Sequence, residues 1–188
     1  MKRLLSLTVL VLLLVAPLAA AQAEPPQQSG YVSDYAEIID AKTETALALL
    51  LETMEEQYGN KVVILTVEST APLGVDDYSA EVFRRWSLGP DDLLFLVALR
   101  DGKVRLEAGR RLNRALTDEK LQEIMAREIM PSFEQGNFSQ GVLRGTVALT
   151  SAIKEIKHKE AKGEGFLIWT VIGLAVIAAV ALFFVLKS

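Results

Sequence analysis

The run from Phe166 to Leu186 limits this chain more than any other stretch, because it holds no charged residue. About 20 apolar residues cross a hydrocarbon core of about 30 Å. Trp169 stands near its start, where an amphipathic ring suits the headgroup zone. Only Lys187 and Ser188 follow. The run is predicted to be one transmembrane helix over 166–186. The competing reading is a buried helix of a soluble core, but such helices are seldom so long and so uniformly apolar.

The other end carries a second apolar stretch. Lys2 and Arg3 precede Leu4–Val15, Pro17 breaks the run, and Ala19-Ala20-Ala21-Gln22-Ala23 supplies small residues at A-x-A spacing. That order is the pattern of a secretory signal peptide over 1–23, with cleavage after Ala21 or Ala23 fitting equally well. An uncleaved anchor is the alternative. Either way, the middle of the chain is expected to be exported.

The segment from Glu24 to Gly165 carries all 24 acidic residues, and every basic residue except Lys2, Arg3 and Lys187. The resulting acidic balance argues against a nucleic-acid partner, which favours a basic face. Cysteine is absent. Disulfides, thiolate nucleophiles and thiolate metal sites are therefore excluded.

Residues 24–30 (EPPQQSG) show no hydrophobic periodicity and read as a flexible leader. Tyr31–Ala36 reads as a short extended or looped stretch. Asp40 can cap a first helix, in which Leu47, Leu50, Leu51, Met54 and Tyr58 recur at helical spacing, and Gly59-Asn60 ends it. Val62–Val67 suits a strand buried on both faces. A second helix spans about Val75 to Trp86. Gly89–Asp92 is a turn before a buried strand, Leu93–Leu99. Arg100-Asp101-Gly102-Lys103 is a hairpin turn leading into Val104–Ala108. Thr117 can cap a third helix that Pro131 stops, and a fourth helix starts near Phe138. Apolar strands with helices between them imply a sheet covered on both sides, with parallel pairing at the crossovers and one antiparallel pair at the hairpin.

The segments YVSDYAEIID, KVVILTVES, VDDYSAEVFRRWSLG, DDLLFLVALRDGKVRLEAG, LTD and IMPSFEQGNFSQGV, in that order, resemble the TPM domain family. The resemblance covers about Gly30 to Lys154, and a signal peptide in front with one helix behind is similar to its bacterial members. It implies an α/β fold, an α/β/α sandwich with a small mixed sheet. It also implies a divalent-cation site, usually for calcium, built from acidic loop residues, and a role as an accessory to membrane protein complexes. Acid phosphatase activity is proposed for some members. Two stretches depart from the family pattern. The loop before the second strand is the short Gly89-Pro90-Asp91-Asp92, and Gly109-Arg110-Arg111-Leu112-Asn113 lacks a glycine and an acidic residue.

Asp34, Asp91, Asp92 and Asp118 are the candidate metal ligands, because Ca²⁺ takes several carboxylate and carbonyl oxygens. Asp34 precedes the first helix and the aspartate pair precedes a buried strand, so their loops are expected to converge at one edge of the sheet. A solvated turn and a helix cap are the competing readings. Arg105, Arg110, Arg111 and Arg114 form a basic cluster suited to an anion or to a partner's acidic patch. His158 is the only histidine and lies among lysines. No nucleophile arrangement, Walker loop or HExxH motif accompanies it.

The expected organisation is a signal peptide at 1–23, a leader at 24–30, an exported TPM-like domain at 31–160, a hinge at 161–165 and the membrane helix at 166–186. The domain would lie on the periplasmic or extracytoplasmic side of a cell membrane. The expected function is an accessory or binding module for a membrane protein complex, with Ca²⁺ as the cation the resemblance implies; a metal-dependent acid phosphatase is the alternative.

Overall fold

The computed structural model describes residues 24–187, with side chains described as far as residue 162. The signal-peptide expectation at 1–23 lies outside the described residues. Four strands form one sheet: β1 (Val32–Asp34), β2 (Val62–Val67), β3 (Leu93–Ala98) and β4 (Lys103–Ala108). They lie in chain order, with β1, β2 and β3 parallel and β4 antiparallel to β3. The helices are α1 (Ala41–Tyr58), α2 (Val75–Arg85), α3 (Leu112–Ala115), α4 (Asp118–Ile124), a π-helical turn (Met125–Ile129), α5 (Met130–Phe133) and α6 (Phe138–Lys187).

Why the sheet sits in the middle is visible in β2 and β3. All twelve of their residues are buried, and alternate side chains face opposite ways. Val62, Ile64, Leu93 and Phe95 pack with Leu47, Leu51 and Met54 of α1 and Val142, Leu149 and Ile153 of α6. Val63, Leu65, Leu94 and Leu96 pack with Tyr78 and Val82 of α2 and with Trp86. This is a helix–sheet–helix sandwich with a small mixed sheet, as the sequence implies. Truncating a fully buried leucine such as Leu51 or Leu96 to alanine is worth roughly 2–5 kcal/mol.

The caps of α1 agree with the sequence. Asp40 accepts the Thr43 N–H at 3.0 Å, and Gly59 closes the helix at φ 69° with its N–H on the Glu55 carbonyl. Thr117 occupies the cap position of α4, although its side chain makes no capping bond there.

Two local readings are refined, at Tyr31–Ala36 and at the hairpin, and two are corrected, at the leader and at Pro131. The Tyr31–Ala36 stretch contains a true edge strand, β1, paired with β2 from Val32↔Ile64 to Asp34↔Thr66; three residues are too few to show a periodicity. The 24–30 leader, expected to be flexible, is strapped down. Trp86 Nε1 donates to the Pro26 carbonyl at 2.9 Å, the Tyr35 hydroxyl donates to the Gln27 carbonyl at 2.8 Å, and Pro25 is buried. Pro131 does not stop its helix, because it falls in the first turn of α5, where a missing N–H costs little. In the β3–β4 turn, Gly102 alone has positive φ, at 61°. Asp101 is left to reach across to Ser69 and Thr70.

α1 and α6 run side by side in the same direction. Ser139 and Asp40 meet at their starts, and the rings of Tyr58 and His158 meet edge-on 6.3 Å apart near the end of α1. Two glycines of α6 allow the π-turn and α5 to come close. A β-carbon on Gly141 would stand 2.4 Å from the Phe133 ring, and one on Gly145 would stand 2.5 Å from Ile129 Cγ1. Among the described residues no helix is long and apolar enough to cross a membrane. The backbone of α6 runs on to Lys187. The side chains of the 166–186 run, and most of the hinge expected at 161–165, lie outside the described residues.

Candidate functional site

The three parallel strands give the sheet two unlike edges. At the carboxyl-terminal edge stand Asp34, the Glu68–Gly74 loop, the Leu99–Gly102 turn and the starts of α1 and α6. In open α/β sheets this is the edge where ligands bind. At the amino-terminal edge stand Asn60, Lys61, Gly89–Asp92 and Gly109–Arg114.

That division separates the predicted metal ligands. Asp34 is level with Thr66, and Thr66 is level with Val97, whereas Asp92 precedes Leu93. Along the strand axis the two aspartates are roughly 16 Å apart, at about 3.3 Å per residue. Asp118 opens α4, which follows directly on the Gly109–Leu116 segment at the amino-terminal edge. The loops of Asp34 and Asp91-Asp92 therefore do not converge. Chain connectivity is the reason: Asp34 ends a strand and Asp92 starts one parallel to it.

Each of these carboxylates already has work in its own loop. Asp34 Oδ1 accepts from the Ile38 N–H at 3.2 Å and from the Thr66 hydroxyl, and Oδ2 accepts from the Ile39 N–H at 2.8 Å. Asp92 takes the Lys61 N–H at 3.0 Å and the Gly89 N–H at 2.6 Å, one on each oxygen. Asp91 pairs with Arg111 at 2.7 Å. The Asn113 amide, in the orientation that satisfies both its ends, donates to Asp118 at 3.1 Å. Among the described residues no three Asp, Glu or His side chains gather as a cation would require. The four aspartates therefore do not fit a divalent ion as one set, since calcium takes six to eight oxygens around one point.

The two loops that depart from the family pattern lie against each other. The Gly109 N–H donates to the Asp92 carbonyl at 2.8 Å, and the N–H groups of Arg111 and Leu112 both donate to the Pro90 carbonyl. A β-carbon on Gly109 would stand 2.3 Å from the Gly89 carbonyl oxygen. Asn60 Nδ2 donates to the Asp91 carbonyl at 2.6 Å. Arg111 thus supplies a built-in positive charge beside Asp91. Of the predicted basic cluster, Arg105 lies apart. It faces α2, bonding Glu107 at 2.7 Å and reaching Asp76 at 3.4 Å.

At the carboxyl-terminal edge two clefts share Phe138. One, of about 450 Å³, is of mixed polarity and lies at the starts of α1 and α6, with Asp40, Thr43, Asn137 and Ser139 on its walls beside Ile38 and Leu143. The Asp40 carboxylate accepts from Ser139 at 2.5 Å and from Thr43, and these bonds hold its pKa down at about 2. The other, of about 260 Å³, is lined by Val97, Leu99, Met130 and Phe133, with Lys103 and Glu134 at its rim. Beside them Asp101 accepts from the Thr70 N–H and hydroxyl and from the Ser69 hydroxyl, which lowers its pKa. Sequence reasoning missed this edge. The available signal was the serines and threonines that follow β2, Ser69 and Thr70, set against the Asp-Gly turn. His158 meets Tyr58 edge-on, at the opposite edge from both clefts.

The sequence model of the TPM domain family matches residues 32–152. No curated protein matches the chain. Among solved structures, the N-terminal domain of a protein from P. gingivalis is similar, with TM-score 0.64 and 22% identity, over 73% of this chain and 86% of that one. A protein of the psychrophilic bacterium Bizionia argentinensis has TM-score 0.55 and 22% identity, over 64% of this chain and 84% of its own. The N-terminal domain of a Corynebacterium glutamicum protein has TM-score 0.54 and 12% identity, over 69% and 84%. At these identities the likeness is one of fold.

Proposed function

This chain belongs to the TPM domain family, and on that premise we propose that it is a membrane-anchored accessory module. It binds a membrane protein complex through the carboxyl-terminal edge of its sheet and is held by the 166–186 run, with the domain on the extracytoplasmic side. The observation that carries this reading is the separation of Asp34 from Asp91 and Asp92, each bonded within its own loop. Metal-assisted phosphoryl chemistry needs carboxylates converging on one ion. What the edge offers instead is a cleft of mixed polarity beside an apolar one, a pairing suited to a peptide segment with one greasy side chain and nearby hydrogen-bonding groups. Anchoring raises the effective concentration near other membrane proteins, so modest contacts suffice.

The test is site-specific photo-crosslinking in native membranes, from a reactive residue at Glu134 beside the clefts and, for comparison, at Leu49 on the exposed back of α1. A reproducible adduct with one membrane protein from the first position alone is the expected result. No adduct, or equal adducts from both, counts against the module. Hydrolysis of a chromogenic phosphate ester by the purified chain, abolished by EDTA, would favour the phosphatase alternative instead.

A further inference from the structure

The direction of α6 fixes which end of the domain would face a bilayer. It starts beside Asp40 at the carboxyl-terminal edge and passes Tyr58 with His158 at the other end. Its backbone then continues toward the 166–186 run. From His158 to the start of that run is roughly 12 Å at about 1.5 Å per residue. The headgroup layer on each side of a hydrocarbon core is about 5–8 Å deep. The amino-terminal edge would therefore stand within reach of long side chains from the headgroups.

That edge displays cations. Arg110, Arg111 and Arg114 are exposed on the Gly109–Leu116 segment, and Lys162 is exposed farther along α6. The carboxylates of the neighbouring turn and of α6 are largely engaged, while Glu52, Glu55 and Glu56 stand on the same edge at the end of α1, around Tyr31. Asp91 pairs with Arg111, Asp92 holds two backbone N–H groups, Glu160 pairs with Lys157 and Glu155 with Lys159. Asp118 and Glu119 are exposed at the start of α4, where Asn113 and Thr117 bond them. Among the described residues Arg110 and Arg114 have no ion-pair partner. The loop that presents them is rigid, because Gly109, Arg111 and Leu112 are bonded to the Gly89–Asp92 turn.

We infer that the amino-terminal edge, through Arg110 and Arg114, rests on anionic phospholipid headgroups of the bilayer that holds the 166–186 run. This rests on the anchored reading above. Planar guanidinium groups suit bidentate contact with phosphate oxygens, and each surface cation adds to the attraction of an anionic leaflet. The contact would set the pose of the domain, leaving the edge with the two clefts directed away from the membrane.

The absence of cysteine allows a single-label experiment on the full chain in lipid nanodiscs. Ala115→Cys carries a fluorophore beside Arg114, and Gln135→Cys carries it at the opposite edge; both sites are exposed. The quencher is a nitroxide on the headgroup of a minor lipid. Quenching at Ala115→Cys is expected to exceed that at Gln135→Cys by about fivefold or more when phosphatidylglycerol is present. It should fall toward the Gln135→Cys level in pure phosphatidylcholine, or when Arg110→Glu and Arg114→Glu are added. Equal quenching at the two sites overturns the inference, and so does strong Ala115→Cys quenching that ignores lipid charge. Alkaline carbonate extraction of native membranes separates the two claims. Release of the chain overturns the anchored reading and this inference with it. A chain that stays embedded but shows no lipid-dependent quenching overturns this inference alone.

Discussion

The Ser139 hydroxyl donates to the Asp40 carboxylate at 2.5 Å, joining the starts of two helices that are 99 residues apart in the chain. Asp40 also caps its own helix through Thr43, and these bonds hold its pKa at about 2. An ordinary aspartate titrates near 3.8. The stabilisation is therefore complete above about pH 4 and is lost as pH falls through about 2. Ser139→Ala should raise the Asp40 pKa and move the onset of acid unfolding to higher pH, leaving neutral stability slightly lowered. Circular dichroism against pH for both proteins checks this.

Tyr31 gives the alkaline counterpart. Burial, with a hydrogen bond to Glu55, pushes its pKa up to about 12 from 10.0. The neutral phenol is the folded form, so its contribution is full below about pH 10 and disappears as pH rises through about 12. Tyr31→Phe should flatten the loss of stability between those limits, as read by urea midpoints at pH 9 and pH 11.

Gly109→Ala should destabilise by about 3 kcal/mol, near the top of the overpacking range. The new methyl would meet backbone on the facing turn, the Gly89 carbonyl oxygen at 2.3 Å and Pro90 at 2.6 Å. Gly145→Ala meets side-chain atoms of Ile129 and Phe95, which can shift, so about 1–2 kcal/mol is expected. Urea denaturation of the two variants gives the ranking, and a larger effect at Gly145 would contradict it.

Asp34→Ala leaves the N–H groups of Ile38 and Ile39 and the Thr66 hydroxyl without their acceptor. The expected loss is about 2–3 kcal/mol. If this aspartate is a loop brace, the loss is the same in calcium and in EDTA, and the parent Tm is also unchanged by EDTA. A calcium-dependent Tm in the parent that vanishes in the variant would return Asp34 to metal binding.

The sandwich was legible because β2 and β3 are apolar runs, broken only by Thr66, and the helices between them carry their apolar residues at helical spacing. The caps Asp40 and Gly59 could be read for the same reason, since each acts through its own neighbours. The edges were harder. Which carboxylates share an edge depends on strand direction, and strand direction follows from connectivity, not from any local spacing. Asp101 is a turn residue by sequence, and its link to Ser69 and Thr70 crosses 31 or 32 positions. The strap at residues 24–30 escaped notice because a proline-rich segment contributes carbonyls and rings without periodicity, and its partner Trp86 is 60 positions away.

The shared heading of α1 and α6 has an electrical side. Peptide dipoles in two like-directed helices add, and α2, which returns to the strands' starting side, points its own amino end the same way. The acidic groups Asp34, Asp40 and Asp101 gather at the positive poles, and Arg110, Arg111 and Arg114 stand at the negative ones. The helix dipoles alone would turn their negative ends away from an anionic plane, so the arginines at that end must outweigh them for the amino-terminal edge to face it.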